Sequence, residues 1–403
     1  MEARFLSRAG KVSTIKKNIW VLSITSAIGG IYWGMIHAVW QPFTLSLGVS
    51  MVLLGFLEGL GGRDGLITGL IQLVSGRLSD RIGRKLFIVL GGILTLTTLA
   101  FYTLAGYTWD WRFLVPATLT LGLTTLSFPA SSALTAESVE VEKRGTAYSV
   151  TMFSYIFPSA LTCVVGGWIA DLFGYEILFL MSLVLEGLSL SLLVLFLRET
   201  LYEKNREKNV RRTPLRTILI PPSESRGFYI GMAADAFSWG LGAAILFGLL
   251  RRTYSFSNLQ LGILSSLTSL MWAASQLPIG KLIEKYGCKK SLIVSEMIGI
   301  AMMIGWLTFT SFEAFALAAL LYGLVASTWV PASRTLLSNS VGAEKRAEAI
   351  GKLSAFRTLI GFPAPFIGGL LYEAMGFKAP ILAGAIGVTI TLILIALFVR
   401  EPE

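Results

Sequence analysis

Residues able to hold a metal or form a cross-link are scarce in this chain of 403: histidine occurs once, at His37, and cysteine twice. A single histidine excludes a His-Glu-x-x-His zinc pair, and no G-x-x-x-x-G-K-[ST] segment offers a phosphate loop, so nucleotide-driven work is not encoded. Cys163 lies in an apolar run and Cys288 in a charged loop, without C-x-x-C spacing, which argues against a disulfide framework and against a thiolate metal site. Charge is the other shortage. Only 14% of the residues are Asp, Glu, Lys or Arg, against about 25% in soluble domains. Apolar residues take their place, at 54% of the chain with a mean hydropathy of +0.69. These figures point away from a soluble enzyme and toward a polytopic membrane protein with no cofactor and no metal.

Crossing about 30 Å of hydrocarbon takes about 20 helical residues. Runs of that kind fall near 19–43, 51–75, 86–107, 113–136, 146–170 and 176–197, and again near 227–250, 259–279, 290–311, 314–338, 347–371 and 378–399. Twelve helical spans are therefore expected, in two bundles of six covering 19–197 and 227–399. Between them, 198–226 carries eight cations and Pro221-Pro222 and reads as a linker. Residues 1–18 are basic and precede an apolar run that is too long for a signal-peptide core. They read as a cytoplasmic arm, with 400–403 as a tail on the same side.

The cations fix the expected orientation. With both termini inside, the inner segments hold most of the Lys and Arg, while the outer loops hold Arg112, Arg251, Arg252 and Lys378. This is the positive-inside asymmetry. The net charge of +10 then follows from topology, and nucleic acid is not an expected partner.

The second half repeats the first. Pro129-Ala130-Ser131 returns as Pro331-Ala332-Ser333, Glu142-Lys143-Arg144 as Glu344-Lys345-Arg346, and Gly166-Gly167 as Gly368-Gly369, all at an offset of 202. Trp33-Gly34 is answered by Trp239-Gly240. Span 2 matches span 8 at an offset of 207 from Ser50 to Gly55 but of 204 by Gly76, so span 2 carries three extra residues. They fall near Gly59-Leu60-Gly61-Gly62-Arg63-Asp64-Gly65, where a bulged or interrupted helix is expected. Arg63 and Asp64 there are either part of a substrate site or a locally neutralised, outward-reaching pair.

Between spans 2 and 3 lies Gly76-Arg77-Leu78-Ser79-Asp80-Arg81-Ile82-Gly83-Arg84-Lys85. Its pattern G-x-x-x-D-R-x-G-R-K resembles the loop at the same place in the major facilitator superfamily of secondary transporters. That resemblance implies an all-α fold of two pseudo-symmetric six-helix bundles, a small-molecule site at the midplane between them, alternating access by rocking of the halves, and a monomer. It also implies a gating role for Gly76, Asp80, Arg81, Gly83, Arg84 and Lys85, with Arg84 paired to Glu137 and Asp80 set against the start of span 11 near Arg346 to Gly351. The chain departs from the drug-proton antiporters of the family. It has no Arg-x-x-Gln-Gly in span 4, and in span 5 only Gly166-Gly167 remains of a G-P-x-x-G-G element, which Pro365-Phe366-Ile367-Gly368-Gly369 in span 11 approaches more closely.

Ionisable residues inside spans are costly unless paired or solvated. Asp235 in span 7 and Arg357 in span 11 both lie about 13–16 Å from the inner face at 1.5 Å per residue. They are expected to pair, either as a coupling site that separates during the cycle or as a permanent tie between helices. Glu186 and Glu296, in the peripheral spans 6 and 9, read as structural hydrogen-bonding groups. His37 is either a proton-relay residue or a packed side chain between Trp33 and Trp40. Trp33, Trp239, Trp329 and Tyr155 are candidates to line a cavity. The expected function is proton-coupled secondary transport of a small organic solute across the cytoplasmic membrane, with efflux of amphiphilic compounds favoured. Uptake of an anionic metabolite, or a membrane sensor or lipid-handling protein that does not transport, are the alternatives.

Overall fold

The computed structural model describes residues 2–62, 65–140, 143–200, 226–340, 346–399 and 401; the side chains of 2–16, 73, 77 and 346–348 are also outside the description. Arg63, Asp64 and most of the linker at 198–226 therefore lie outside the described residues.

Lipid offers the backbone no hydrogen-bond partner, so each apolar stretch satisfies itself as helix. Span 1 belongs to the helix Glu2–Ser46, whose first turns are the basic segment and whose apolar part is Lys17–Ser46. Span 2 is split into Met51–Gly61 and Leu66–Ile82, with the gap falling among its clustered glycines. Span 3 is Arg84–Thr108. Span 4 is Leu114–Thr124 and Ser127–Glu137. Spans 5 and 6 are Arg144–Phe173 and Tyr175–Phe196. Span 7 runs through Arg226–Gly242 and Leu246–Tyr254 with a 3-10 turn between them. Spans 8, 9 and 10 are Asn258–Tyr286, Cys288–Thr308 and Phe312–Asn339. Span 11 is Arg346–Gly361 and Ala364–Met375, broken at a Gly-Phe-Pro step, and span 12 is Lys378–Phe398.

Ten of these segments are long and apolar enough to cross a membrane by length and composition. Spans 2 and 8 are the two outside that set. Span 2 is broken into helices of 11 and 17 residues, neither long enough to cross alone, whereas span 8 is long enough but packs on spans 5 and 10. A helix whose neighbours are protein can carry serine, glutamine and glycine where a lipid-facing helix carries leucine.

The core shows how the halves are joined. On the side away from the termini, one continuous apolar cluster draws on both halves, from Met35, Phe43 and Leu54 to Leu249, Leu261 and Phe315. On the termini side the core divides. Val21, Phe87, Ala130 and Leu193 form a cluster in the first half, and Tyr229, Met232, Leu292 and Leu336 form one in the second. The halves are thus sealed on the far side and part toward the termini.

Two seams that are copies of each other make the seal. Where span 5 meets span 8, a Cβ at Gly262 would lie 2.5 Å from the Cys163 carbonyl oxygen, and one at Gly167 would lie 2.2 Å from that of Asn258. Where span 11 meets span 2, the equivalent distances are 2.0 Å from Gly55 to Pro365 and 2.3 Å from Gly369 to Met51. Helices this close exclude any side chain at the contact.

Candidate functional site

Near mid-depth, where the sealed and parted regions meet, Arg357 of span 11 reaches across to span 7. Its Nη2 donates to Asp235 Oδ2 at 3.1 Å and its Nε to the Met232 carbonyl at 3.1 Å. The guanidinium carbon also sits 4.3 Å from the centre of the Trp329 ring. The cation is the more open partner: the Arg357 side chain keeps 25% of its surface accessible, that of Asp235 only 5%. Glu296 of span 9, fully buried, completes the cluster beside Asp235, Trp239 and Arg357. Trp239 in turn stacks on Tyr322, with ring centres 5.4 Å apart. One cation and two carboxyls therefore share one cluster in the second half.

The first half has no copy of this cluster. Gly29 and Tyr155 stand where Asp235 and Arg357 stand in the second half, and an aromatic edge of Tyr155 faces Gly29. Tyr155 is 41% exposed, while Trp33 is half-buried against Tyr32. The buried acid here is Glu186, whose Oε2 accepts from the Tyr32 hydroxyl at 2.8 Å. His37 bonds through Nδ1 to Ser265 Oγ at 3.1 Å across the sealed seam and packs edge-on against Phe247. That hydrogen bond ties the two halves together.

At the termini side, Arg84 brings the charged loop together. Its Nη2 lies 3.2 Å from Glu137 Oε1 and its Nη1 2.9 Å from Ser79 Oγ, and it forms an ion pair with Asp80 one turn earlier. Asp80 is thus engaged within its own half, on the face where the halves have parted. Gly83 has φ +144°, a conformation that residues with a side chain rarely adopt, and Glu199 closes on the start of span 3 beside it. Glu199 accepts the Arg84 and Lys85 amides at 3.1 and 2.9 Å. Gly76 lies against Pro129 of span 4, and Arg81 sits in the last turn of span 2.

Several polar residues that shape the far side are absent from the sequence reading. Gln41 of span 1 donates to the Ala244 carbonyl at 2.7 Å and accepts the Gly248 amide at 2.8 Å, both in span 7, and also donates to Glu58 of span 2 at 2.9 Å. Asp171, at the end of span 5, accepts the Asn258 and Leu259 amides at 3.1 and 2.8 Å at the start of span 8. Glu373, at the end of span 11, accepts the Met51 amide at 3.0 Å at the start of span 2. A helix start leaves its first amides without partners and carries partial positive charge, so a carboxylate there satisfies both. Asp171 and Glu373 are repeat mates at the offset of 202, and so are Glu199 and Glu401, which accepts the Lys289 amide at 2.8 Å at the start of span 9. Extending the repeat comparison from motifs to single acids would have found both pairs.

The sequence matches the model of the Major Facilitator Superfamily over residues 22–233 and 227–403. It is 24% identical over 381 residues to multidrug resistance protein MdtG of Dickeya zeae, covering 92% of this chain and 91% of the relative. To the multi-drug resistance efflux pump PmrA of Streptococcus pneumoniae serotype 4 it is 24% identical over 342 residues, 84% of each chain. Among solved structures, the nucleoside transporter NupG superimposes with a TM-score of 0.77 at 13% identity, covering 94% of this chain and all of that one. A D-xylose-proton symporter gives 0.70 at 15% identity, covering 95% and 98%. With the twelve-segment repeat, the charged loop and the parted halves in place, the match along nearly the whole chain shows that this protein belongs to the major facilitator superfamily.

Proposed function

We propose that the protein exports small amphiphilic organic compounds across the cytoplasmic membrane by alternating access, driven by proton entry, as a monomer with both termini in the cytoplasm. The observation that carries this reading is the Asp235–Arg357 ion pair, 3.1 Å apart between spans 7 and 11 with the carboxylate buried. The relatives named as a multidrug resistance protein and a multi-drug resistance efflux pump support the substrate class, and the second supports the direction. A carboxylate held by a cation stays ionised, and one that loses its cation inside a membrane takes up a proton. Substrate or water drawing Arg357 away would therefore load Asp235, and its return would discharge it. The charged loop around Asp80 and Arg84 works as the inner gate, released in the conformation described above.

In proteoliposomes, Asp235→Asn should lose gradient-driven accumulation and keep downhill exchange. Full accumulation by a well-folded Asp235→Asn protein would remove Asp235 as the proton site and turn attention to Asp64.

The greater exposure of Arg357 favours one other reading, in which its guanidinium binds an anionic substrate during uptake. Arg357→Lys would then weaken binding of the anion, because a bidentate fork is replaced by a point charge, while binding of neutral amphiphiles would not change. A thermal-shift screen of metabolites and drugs on the purified protein separates the two.

A further inference from the structure

Asp235 and Glu296 come from spans 7 and 9 and meet in one cluster whose neighbouring cation is Arg357. Glu296 is 0% exposed and Asp235 3%. Asp235 has the Arg357 guanidinium as a donor. Glu296 differs, because neither of its carboxyl oxygens is within hydrogen-bond geometry of a donor. The Trp239 indole lies beside it, outside that geometry, and what faces it closely is Asp235, another acceptor. Two buried carboxylates in contact repel each other, and one guanidinium neutralises only one of them.

We infer that Glu296 is a resident proton-binding site: it carries a proton in the conformation described here and donates it in a hydrogen bond to Asp235. A protonated carboxyl is a donor as well as an acceptor, so a single proton satisfies the orphaned oxygens and brings the cluster to neutrality, with one cation, one carboxylate and one acid. The like-charge logic of paired acids then applies, and the two carboxyls titrate as a unit. Glu296 holds the standing proton and Asp235 the exchanged one. When Arg357 swings away, a proton from the aqueous side binds the Asp235 carboxylate and leaves two neutral acids; when Arg357 returns, that proton departs to water. Glu296 thereby acts as a positioning residue, holding the Asp235 carboxyl by a hydrogen bond whether or not Arg357 is beside it. This role rests on the proton-coupled reading, but the proton on Glu296 does not.

Infrared difference spectroscopy of the purified protein at neutral pH tests it. Glu296→Gln should remove a protonated-carboxyl C=O band that shifts in heavy water, while Glu186→Gln, altering the buried acid of the other half, should leave that band in place. Asp235→Asn should also abolish the band, with the Asp235 carboxylate signal replaced by one from Glu296, because Arg357 still requires one anion and Glu296 becomes it. This second variant reads the same group if Glu296→Gln does not fold. Loss of a carboxylate band in Glu296→Gln, or an unchanged acid band in Asp235→Asn, would overturn the assignment. A resident acid band together with full gradient-driven transport by Asp235→Asn would instead leave the Glu296 site standing and defeat the coupling reading.

Discussion

Arg357 lies over the face of Trp329, 4.3 Å from its guanidinium carbon to the ring centre, and so has an alternative to Asp235 as a resting place for its charge. A desolvated cation–π contact contributes about 2 kcal/mol, comparable with a charge-assisted hydrogen bond of about 1.5–3 kcal/mol. An arginine held from two sides by similar energies can leave one without losing the other. Trp329→Leu should therefore tighten Arg357 on Asp235 and slow gradient-driven transport several-fold, with little change in thermal stability. Transport at the parent rate would show that the ring is packing alone.

The Arg84–Glu137 contact, at 3.2 Å and partly open to water, should contribute about 0–1 kcal/mol. That is small for stability and large for two nearly balanced conformations, where 1.4 kcal/mol is about a tenfold change in population. Because the contact is made here with the halves parted, Arg84→Ala and Glu137→Gln should each shift the inner gate toward closed in a cysteine-accessibility assay, with the double variant showing less than the sum of the two. Strict additivity would mean that the contact has no role in the gate.

Asp171 and Glu373 close the far side as a symmetric pair, each on the start of a helix in the opposite half. A capping interaction of this kind is worth about 0.5–2 kcal/mol. Asp171→Asn and Glu373→Gln should each raise the fraction of molecules open on the far side, and the double variant should raise it further, as read by spin-label distances between spans 5 and 8 and between spans 2 and 11. Unchanged distance distributions would reduce both carboxylates to local caps.

Gly167 and Gly369 test the seams directly. A side chain at either would strike a backbone oxygen at 2.2–2.3 Å, and backbone offers no rotamer to move aside. Gly167→Val and Gly369→Val should fold, remain open on the far side and lose transport almost completely, with ligand binding from that side preserved. If the variants reach the far-side-closed conformation, the seam is looser than these distances require.

How much of this was legible in the residues depends on the kind of contact. The positions of Asp235 and Arg357 along spans 7 and 11 put them at one depth, since each helical residue adds about 1.5 Å, and the structure brings them together. The Gly76–Lys85 loop marked Arg84, and the structure places it on Glu137. Glu296 reads from the sequence as a structural hydrogen-bonding group in a peripheral span, and the structure buries it beside Asp235. Nothing in the sequence states which way a peripheral helix is rotated, and that rotation decides whether its one acid faces a neighbour or lipid. Asp80 was expected against span 11, yet it pairs with Arg84, because that expectation belongs to the closed inner gate and the halves here are parted on that side.

By itself the sequence determined the twelve apolar stretches, the doubled six-span repeat and the sidedness of the cations, because hydrophobic length and charge act on each segment separately. The tertiary structure decided which residues of different spans touch. Gln41 ties spans 1 and 7, Asp171 and Glu373 cap helices of the opposite half, and two acids share Arg357, because these contacts depend on how each helix is turned and on which side the halves are closed. Rotation and rocking are properties of packed helices, set by close approaches such as Gly55 on Pro365, and one helix read alone carries neither.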